Sequence, residues 1–176
     1  MSVHPVLHTR RLTLRPVTAE DASILLAFFR LPGVRRWLLD DVLVERAWVE
    51  REIHDARVRF EQHGAGLWAV EEPSGELVGC AGFRAFHEPP EMELLFAIRD
   101  DRCGLGYATE VGTALVQHAF AILGWEAVTA SHDAEHAASG RVLAKLGFVQ
   151  VGRGIRSGLD TVTWRRESTG VGPRPD

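Results

Sequence analysis

Hydrophobic residues recur along the chain with two different periods, and the switches between them mark the elements. Over residues 11–17 apolar and polar positions alternate, which predicts a strand ended by Pro16. Thr18-Ala19-Glu20-Asp21 has the form of a capping box. Ala22, Leu25, Leu26 and Phe29 then fall on one helical face, and Pro32-Gly33 is expected to stop that helix. A second helix, from about residue 43 to 63, carries Val49, Ile53, Ala56 and Phe60 on one stripe and is broken by Gly64-Ala65-Gly66. Residues 67–70 and 77–83 read as strands joined by the turn Pro73-Ser74-Gly75-Glu76. Residues 91–98 form the next strand, reached through His87-Glu88-Pro89-Pro90.

Beyond a glycine turn, Ala108, Val111, Leu115, Ala119 and Ile122 repeat at helical spacing up to Gly124. A short strand over 127–131, a helix over 137–146 closed by Gly147, and strands over 148–151 and 159–164 complete the pattern. The order β-α-α-β-β-β-α-β-α-β-β predicts an α+β (mixed α/β) fold rather than the strict alternation of a doubly wound one. We expect one domain over 9–166 and a flexible Gly- and Pro-rich C-terminal tail over 167–176.

Composition changes this picture little. Of 176 residues, 45% are apolar and 25% charged, which suits a globular core and excludes disorder. A net charge of −4 gives no electrostatic case for a nucleic-acid partner. No apolar run is long enough to span a bilayer, so no membrane association is expected. Met-Ser-Val-His-Pro has no basic region leading into an apolar core, and Cys80 and Cys103 lack metal spacing. Two thiols in a reducing, cytoplasmic compartment are expected.

The candidate chemistry centres on residues 99–110, Arg-Asp-Asp-Arg-Cys-Gly-Leu-Gly-Tyr-Ala-Thr-Glu. Gly104 and Gly106 stand where a strand hands over to a helix. Glycine admits positive φ there, and a helix N-terminus offers unpaired N–H groups to a phosphate.

Four pieces in order resemble the GNAT superfamily of acyl-CoA-dependent N-acyltransferases, in particular the branch that includes ribosomal-protein N-terminal acetyltransferases. They are Thr9-Arg10-Arg11-Leu12-Thr13-Leu14-Arg15-Pro16, Leu77-Val78-Gly79, Cys103-Gly104-Leu105-Gly106-Tyr107-Ala108-Thr109-Glu110, and Ala138-Ser139 through Lys145-Leu146-Gly147-Phe148. The resemblance implies a central twisted, mostly antiparallel sheet of about seven strands flanked by about four helices. It implies acetyl-CoA as co-substrate, with the pyrophosphate on backbone amides of Gly104, Leu105, Gly106, Tyr107, Ala108 and Thr109, and with Cys103 as a further cofactor-binding position. It places the pantetheine arm against the main chain of Phe96, Ala97 and Ile98. His136 and Ser139 are implied as further cofactor contacts. His136 stands where the branch commonly has Asn, and Cys103 where the superfamily often has Gln or Arg.

Transfer to an amine needs a base, most of all for a lysine of pKa ~10.4 rather than an α-amine near ~8. Alternation puts Glu91, Glu93 and Leu95 on one strand face, and Glu93 matches a Glu of the branch, so it is the candidate base. The superfamily's frequent general-acid Tyr falls at Leu143, which leaves Ser139 or water to meet the leaving thiolate. A Cys103 nucleophile has no adjacent base. His132-Asp-Ala-Glu-His136 matches a zinc-peptidase pattern, yet straddles a strand end and a loop where the two histidines share no helix face, and no metal is expected. Phe28 and Phe29 read as core, while Trp37, Trp48 and Phe86 are available to an acceptor groove.

The sequence thus predicts acetyl transfer from acetyl-CoA to a primary amine, on a protein N-terminus or a small molecule, directly within a ternary complex. The enzyme is expected to be a monomer or homodimer. The alternative is a non-catalytic acyl-CoA-binding or sensing module.

Overall fold

The computed structural model describes residues 4–85 and 91–169. Its strands are β1 (Leu7–His8), β2 (Thr13–Pro16), β3 (Leu67–Glu71), β4 (Leu77–Ala85), β5 (Met92–Ile98), β6 (Ala127–Asp133), β7 (Val149–Arg156) and β8 (Leu159–Glu167). Its helices are α1 (Ala22–Phe29), α2 (Pro32–Leu38), α3 (Arg46–His63), α4 (Tyr107–Gln117) and α5 (Ala137–Lys145). The strands form one sheet in the order β1-β2-β3-β4-β5-β6-β8-β7, antiparallel throughout except where β5 meets β6. No helix among the described residues is long and apolar enough to cross a membrane.

Local chemistry accounts for most boundaries. Thr18 N–H donates to Asp21 Oδ2 at 2.7 Å, one arm of the capping box that starts the first helical layer. Arg15 clamps the same carboxylate at 2.8 Å through both terminal guanidinium nitrogens. Gly64, at φ 70°, ends α3 in the left-handed conformation that glycine takes without strain.

The sheet has eight strands and five helices among the described residues, where about seven and four were expected. The extra strand, β1, is too short to show a period and exists by pairing Leu7 with Leu14 and His8 with Thr13. The extra helix is α2. Pro32 does not stop a helix but starts one, at the first helical position where its missing N–H costs nothing. α3 starts at Arg46, and α4 passes into a π turn over His118–Ile122 before Gly124. β8 reaches Glu167, the first residue of the expected tail, and residues 170–176 of that tail lie outside the described residues. So do Phe86 and the His87-Glu88-Pro89-Pro90 connection.

Each sheet face carries a core. Leu14, Val70, Phe83, Val111, Leu115, Val128 and Leu143 belong to the one under α4 and α5. Leu25, Phe28, Phe29, Val49, Ile53, Ala69 and Cys80 belong to the one under α1–α3. The alternation along β5 holds: Met92, Leu94 and Phe96 join the first core, Leu95 and Ala97 the second.

One irregularity opens the sheet. β5 and β6 share a single register pair, Glu93 with Thr129, fastened by Thr129 Oγ1 donating to the Met92 carbonyl at 3.2 Å. Continued pairing would set Leu95 against Ser131 and Ala97 against Asp133, and the strands do not make it. On its other side β5 stays paired with β4 as far as Gly79–Ile98. The half of β5 over residues 95–98 therefore presents an open backbone edge to the wedge between the strands.

Candidate active site

The wedge is a cavity of about 640 Å³. It runs from the turn after β5, along the open β5 edge, to the mouth where β6 and the β7–β8 hairpin meet. At the turn, Gly104 and Gly106 sit at φ 80° and 82°. A Cβ on Gly104 would meet nothing within 4 Å, so the backbone there is bare toward solvent. Gly106 is the N-cap of α4, and the helical ladder starts with Glu110 N–H to the Gly106 carbonyl at 3.0 Å. The amides of Tyr107, Ala108 and Thr109 precede that first bond and carry the positive end of the helix dipole.

Side chains fix this turn from three directions. Glu110 Oε1 accepts from the Thr9 hydroxyl at 2.6 Å and from Arg11 N–H at 2.8 Å, and its Oε2 accepts from Arg11 Nε at 2.8 Å. The Arg11 guanidinium lies 4.7 Å over the Tyr107 ring. Tyr107 donates its hydroxyl to Glu72 at 2.7 Å, and Arg102 reaches the same oxygen at 3.1 Å. These bonds lower the Glu72 carboxyl and raise the Tyr107 phenol, so the pair stays carboxylate and phenol. From the third side, Asp100 accepts from Gly33 N–H at 3.2 Å and ties α2 to the turn. Burial, with Asp100 and Asp101 nearby, pushes the Cys103 thiol up, away from the thiolate a nucleophile needs.

At the junction of β5 and β6, Glu93 is 4% exposed. Its carboxylate accepts from Arg84 Nε at 2.7 Å and from the Ser131 hydroxyl. Arg84 and Ser131 line the cavity and Glu93 stands behind them. Arg84 faces Glu93 in the β4–β5 register, a contact readable from sequence only once that register is known. Ser131 carried no signal, because it becomes relevant only where the two strands part.

Across the wedge, His136 is the N-cap of α5. Its Nδ1 lies 3.0 Å from the Ser139 hydroxyl, and its ring stacks face to face on Trp37 of α2, 4.4 Å between centroids and 5° from parallel. Burial, then the neighbours His132, Arg141 and Arg36, lower the imidazole to about 4, so it is neutral at pH 7. His132 points elsewhere: its Nδ1 bonds the Asp133 carbonyl at 2.7 Å, and its Nε2 is 3.1 Å from where a Cβ on Gly140 would stand. The two histidines share no common ligand position. Among the described residues no group of three His, Cys, Asp or Glu is placed to hold a metal ion.

The structure thus gathers Phe96, Ala97, Ile98, Cys103, Gly104, Gly106, Tyr107, Ala108, Thr109, His136 and Ser139 along one cavity, with Leu105 half-exposed at its rim. Phe28 and Phe29 are core, and Trp48 packs edge-on against Phe29 away from the cavity lining, whereas Trp37 lines it.

A family model for the acetyltransferase (GNAT) domain matches residues 11–149. An N-acetyltransferase of Bacillus subtilis, YoaA, is 28% identical over 150 residues, covering 84% of this chain and 85% of its own. Among solved structures, an acetyltransferase of Agrobacterium tumefaciens superposes with a TM-score of 0.80 at 24% identity, covering 93% of this chain and 95% of that one. The ribosomal L7/L12 alpha-N-protein acetyltransferase RimL, solved with coenzyme A, gives 0.79 at 15% identity over 93% and 98% of the two chains. At those identities the two structures show a shared fold.

Proposed function

The chain belongs to the GNAT acetyltransferase family, and from that premise we propose that it moves an acetyl group from acetyl-CoA to a primary amine by direct transfer in a ternary complex. The observation that carries the proposal is the open β5 edge followed, after the single 3-10 turn Asp100–Arg102, by the left-handed glycine turn and the N-terminus of α4. An extended amide chain ending in a pyrophosphate matches that surface: the amides complete the unpaired edge and the phosphates meet the helix end. Acetyl-CoA supplies the activated acyl carbon; the chain's own residues orient it and manage protons.

Glu93 acts as base through Ser131. The serine hydroxyl donates to the carboxylate and can accept from the incoming nitrogen, so the amine proton passes inward as nitrogen attacks. Arg84 holds the carboxylate in place. Opposite, Ser139 meets the leaving sulfur. The acceptor enters at the mouth lined by Asp40, Asp133 and the β7–β8 hairpin. RimL's name describes action on a ribosomal-protein N-terminus, and for this chain N-terminal peptides stand beside small amines as acceptor classes.

A thiol-release screen with acetyl-CoA against peptides and small amines tests the reading. We expect turnover with one class, and Glu93→Gln to keep coenzyme A affinity while transfer falls by about tenfold or more. Unchanged transfer in that variant removes Glu93 from the mechanism. Coenzyme A binding with silence across the panel favours a sensing module.

A further inference from the structure

His136 is held in place from outside its own helix. As N-cap of α5 it has a non-helical backbone, φ −84° and ψ 62°, so the helix does not orient the ring. Trp37 does, through the face-to-face stack at 4.4 Å. Trp37 itself sits under the Arg36 guanidinium, 4.4 Å from the indole, and Arg36 reaches Glu135 at 3.7 Å. The far end of α2 is tied to the cofactor turn through Gly33 and Asp100. A short helix thus spans the wedge and fixes an imidazole plane on its other side.

What that plane controls is the Ser139 hydroxyl. The residue matching the superfamily's acid, Leu143, is 1% exposed and inert, and Ser131 is engaged by Glu93. Ser139 is the hydroxyl on the α5 wall, and among the described residues its side-chain partner is His136 Nδ1 at 3.0 Å. That bond has two possible directions. With the imidazole proton on Nε2, the serine donates to Nδ1 and its hydrogen is spent. With the proton on Nδ1, the imidazole donates to Ser139 Oγ and the serine hydrogen points into the cavity.

Resting on the acetyl-transfer reading above, we propose that His136 is a positioning residue: braced by Trp37, it donates from Nδ1–H to Ser139 Oγ and aims the serine hydroxyl at the departing sulfur. As the acceptor nitrogen bonds to the carbonyl carbon, the C–S bond breaks and its electron pair goes to sulfur. Ser139 donates a hydrogen bond to that thiolate and keeps its own proton. The proton lost by nitrogen passes through Ser131 and Glu93 to solvent, and the thiol takes one from solvent, so amine plus thioester gives amide plus thiol. The arrangement needs a neutral ring. Burial and the neighbours His132 from β6, Arg141 from α5 and Arg36 from α2 all favour that form over the cation, while the adjacent acid Glu135 lies 3.7 Å from Arg36 and Asp133 precedes it at the end of β6.

The test combines spectroscopy and kinetics on the full chain. Histidine ¹⁵N–¹H correlation spectra, with the His136 signal assigned by its loss in His136→Asn, should show a neutral Nδ1–H ring at pH 7 that becomes a tautomer mixture in Trp37→Ala. A neutral Nε2–H ring overturns the proposal with no acceptor needed, so it is separable from failure of the acetyl-transfer reading, which silence of the wild type in the amine screen would signal. With an acceptor in hand, His136→Ala and Ser139→Ala should each lower kcat about tenfold, the loss of one directed hydrogen bond. KM for acetyl-CoA should stay within about twofold, and the double variant should be no slower than Ser139→Ala. His136→Asn, whose amide can donate to the same oxygen, should recover most of kcat. Multiplying losses, or a change in KM alone, overturn the proposal. Coenzyme A affinity and Tm equal to wild type identify variants that remain folded.

Discussion

Glu110 is the carboxylate on which the start of the chain and the glycine turn both depend, and Glu110→Ala measures that dependence. Three hydrogen bonds and an ion pair at 2.8 Å end on its two oxygens, with the side chain 17% exposed. Their removal is uneven in effect. The Thr9 hydroxyl still accepts from Leu12 N–H at 3.0 Å and can turn its hydrogen to the Leu12 carbonyl, also at 3.0 Å, and the Arg11 guanidinium keeps its place over Tyr107. The Arg11 backbone N–H loses its partner in a half-buried position, which costs about 1–2 kcal/mol. The charge-assisted bond and the helix-dipole contact of a carboxylate in the first turn of α4 add about 1 kcal/mol. The sum is about 2–3 kcal/mol, or a Tm lower by about 5–10 °C for a domain of this size. Glu110→Gln keeps one acceptor oxygen for Arg11 N–H and Thr9, and should cost about half as much.

Urea unfolding followed by tryptophan fluorescence reads these values, and pH gives a second axis. Burial pushes the Glu110 carboxyl up, and Thr9 and Arg11 outweigh it, so the folded carboxyl sits below its ordinary value. A depressed carboxyl stabilises the fold above the unfolded pKa, near ~4.3, and that contribution is lost as pH falls through the folded value. The gap between wild type and Glu110→Ala should therefore close below about pH 4. A gap under about 0.5 kcal/mol at pH 7, or one that persists undiminished in acid, refutes the reasoning.

Gly106→Ala should cost about 1–2 kcal/mol through its φ of 82°. It should raise KM for acetyl-CoA well beyond what that stability loss explains, because the change alters the turn that presents the amides; an unchanged KM would separate the turn from the cofactor. Gly33→Ala puts a Cβ 1.9 Å from Asp100 Oδ1, so the Asp100 tie must break. Alanine gains about 1 kcal/mol of helix propensity and the exposed bond loses a similar amount, leaving unfolding free energy near wild type while KM for acetyl-CoA rises. Parallel loss of both would count against α2 as a tie. The His136 imidazole falls from an unfolded value near ~6.5 to about 4. The unfolded chain then binds the extra proton between those values, so stability drops as pH falls from about 6.5 to about 4 and levels off below. His136→Asn should flatten that interval in a series of Tm against pH.

How much of this was legible in the sequence depends on the range of the interaction. The glycine turn was readable because Gly104, Gly106 and the helix that follows are adjacent in the chain, and both glycines do take positive φ. The Thr18–Asp21 box and the Gly64 stop were readable for the same reason. Glu93 was legible as a carboxylate sharing a strand face with Glu91 and Leu95, but its burial and its partners were not. Arg84 depends on the β4–β5 register and Ser131 on where β5 and β6 diverge, and neither is encoded within a window of ten residues.

The hardest element to read was α2, and the reason is physical. Seven residues give no amphipathic stripe to count, and Val34 is its one fully buried side chain. Its opening Pro32-Gly33 resembles a stop signal as much as a start. What makes it a helix with a function is tertiary: a backbone N–H held by Asp100 at one end and an indole stacked on His136 at the other. Beyond these two ends, Arg36 reaches Glu135 at 3.7 Å and Leu38 packs beside Val34 on the second core. A histidine at position 136 suits that setting, because a flat ring is what a stacked indole can hold in one plane.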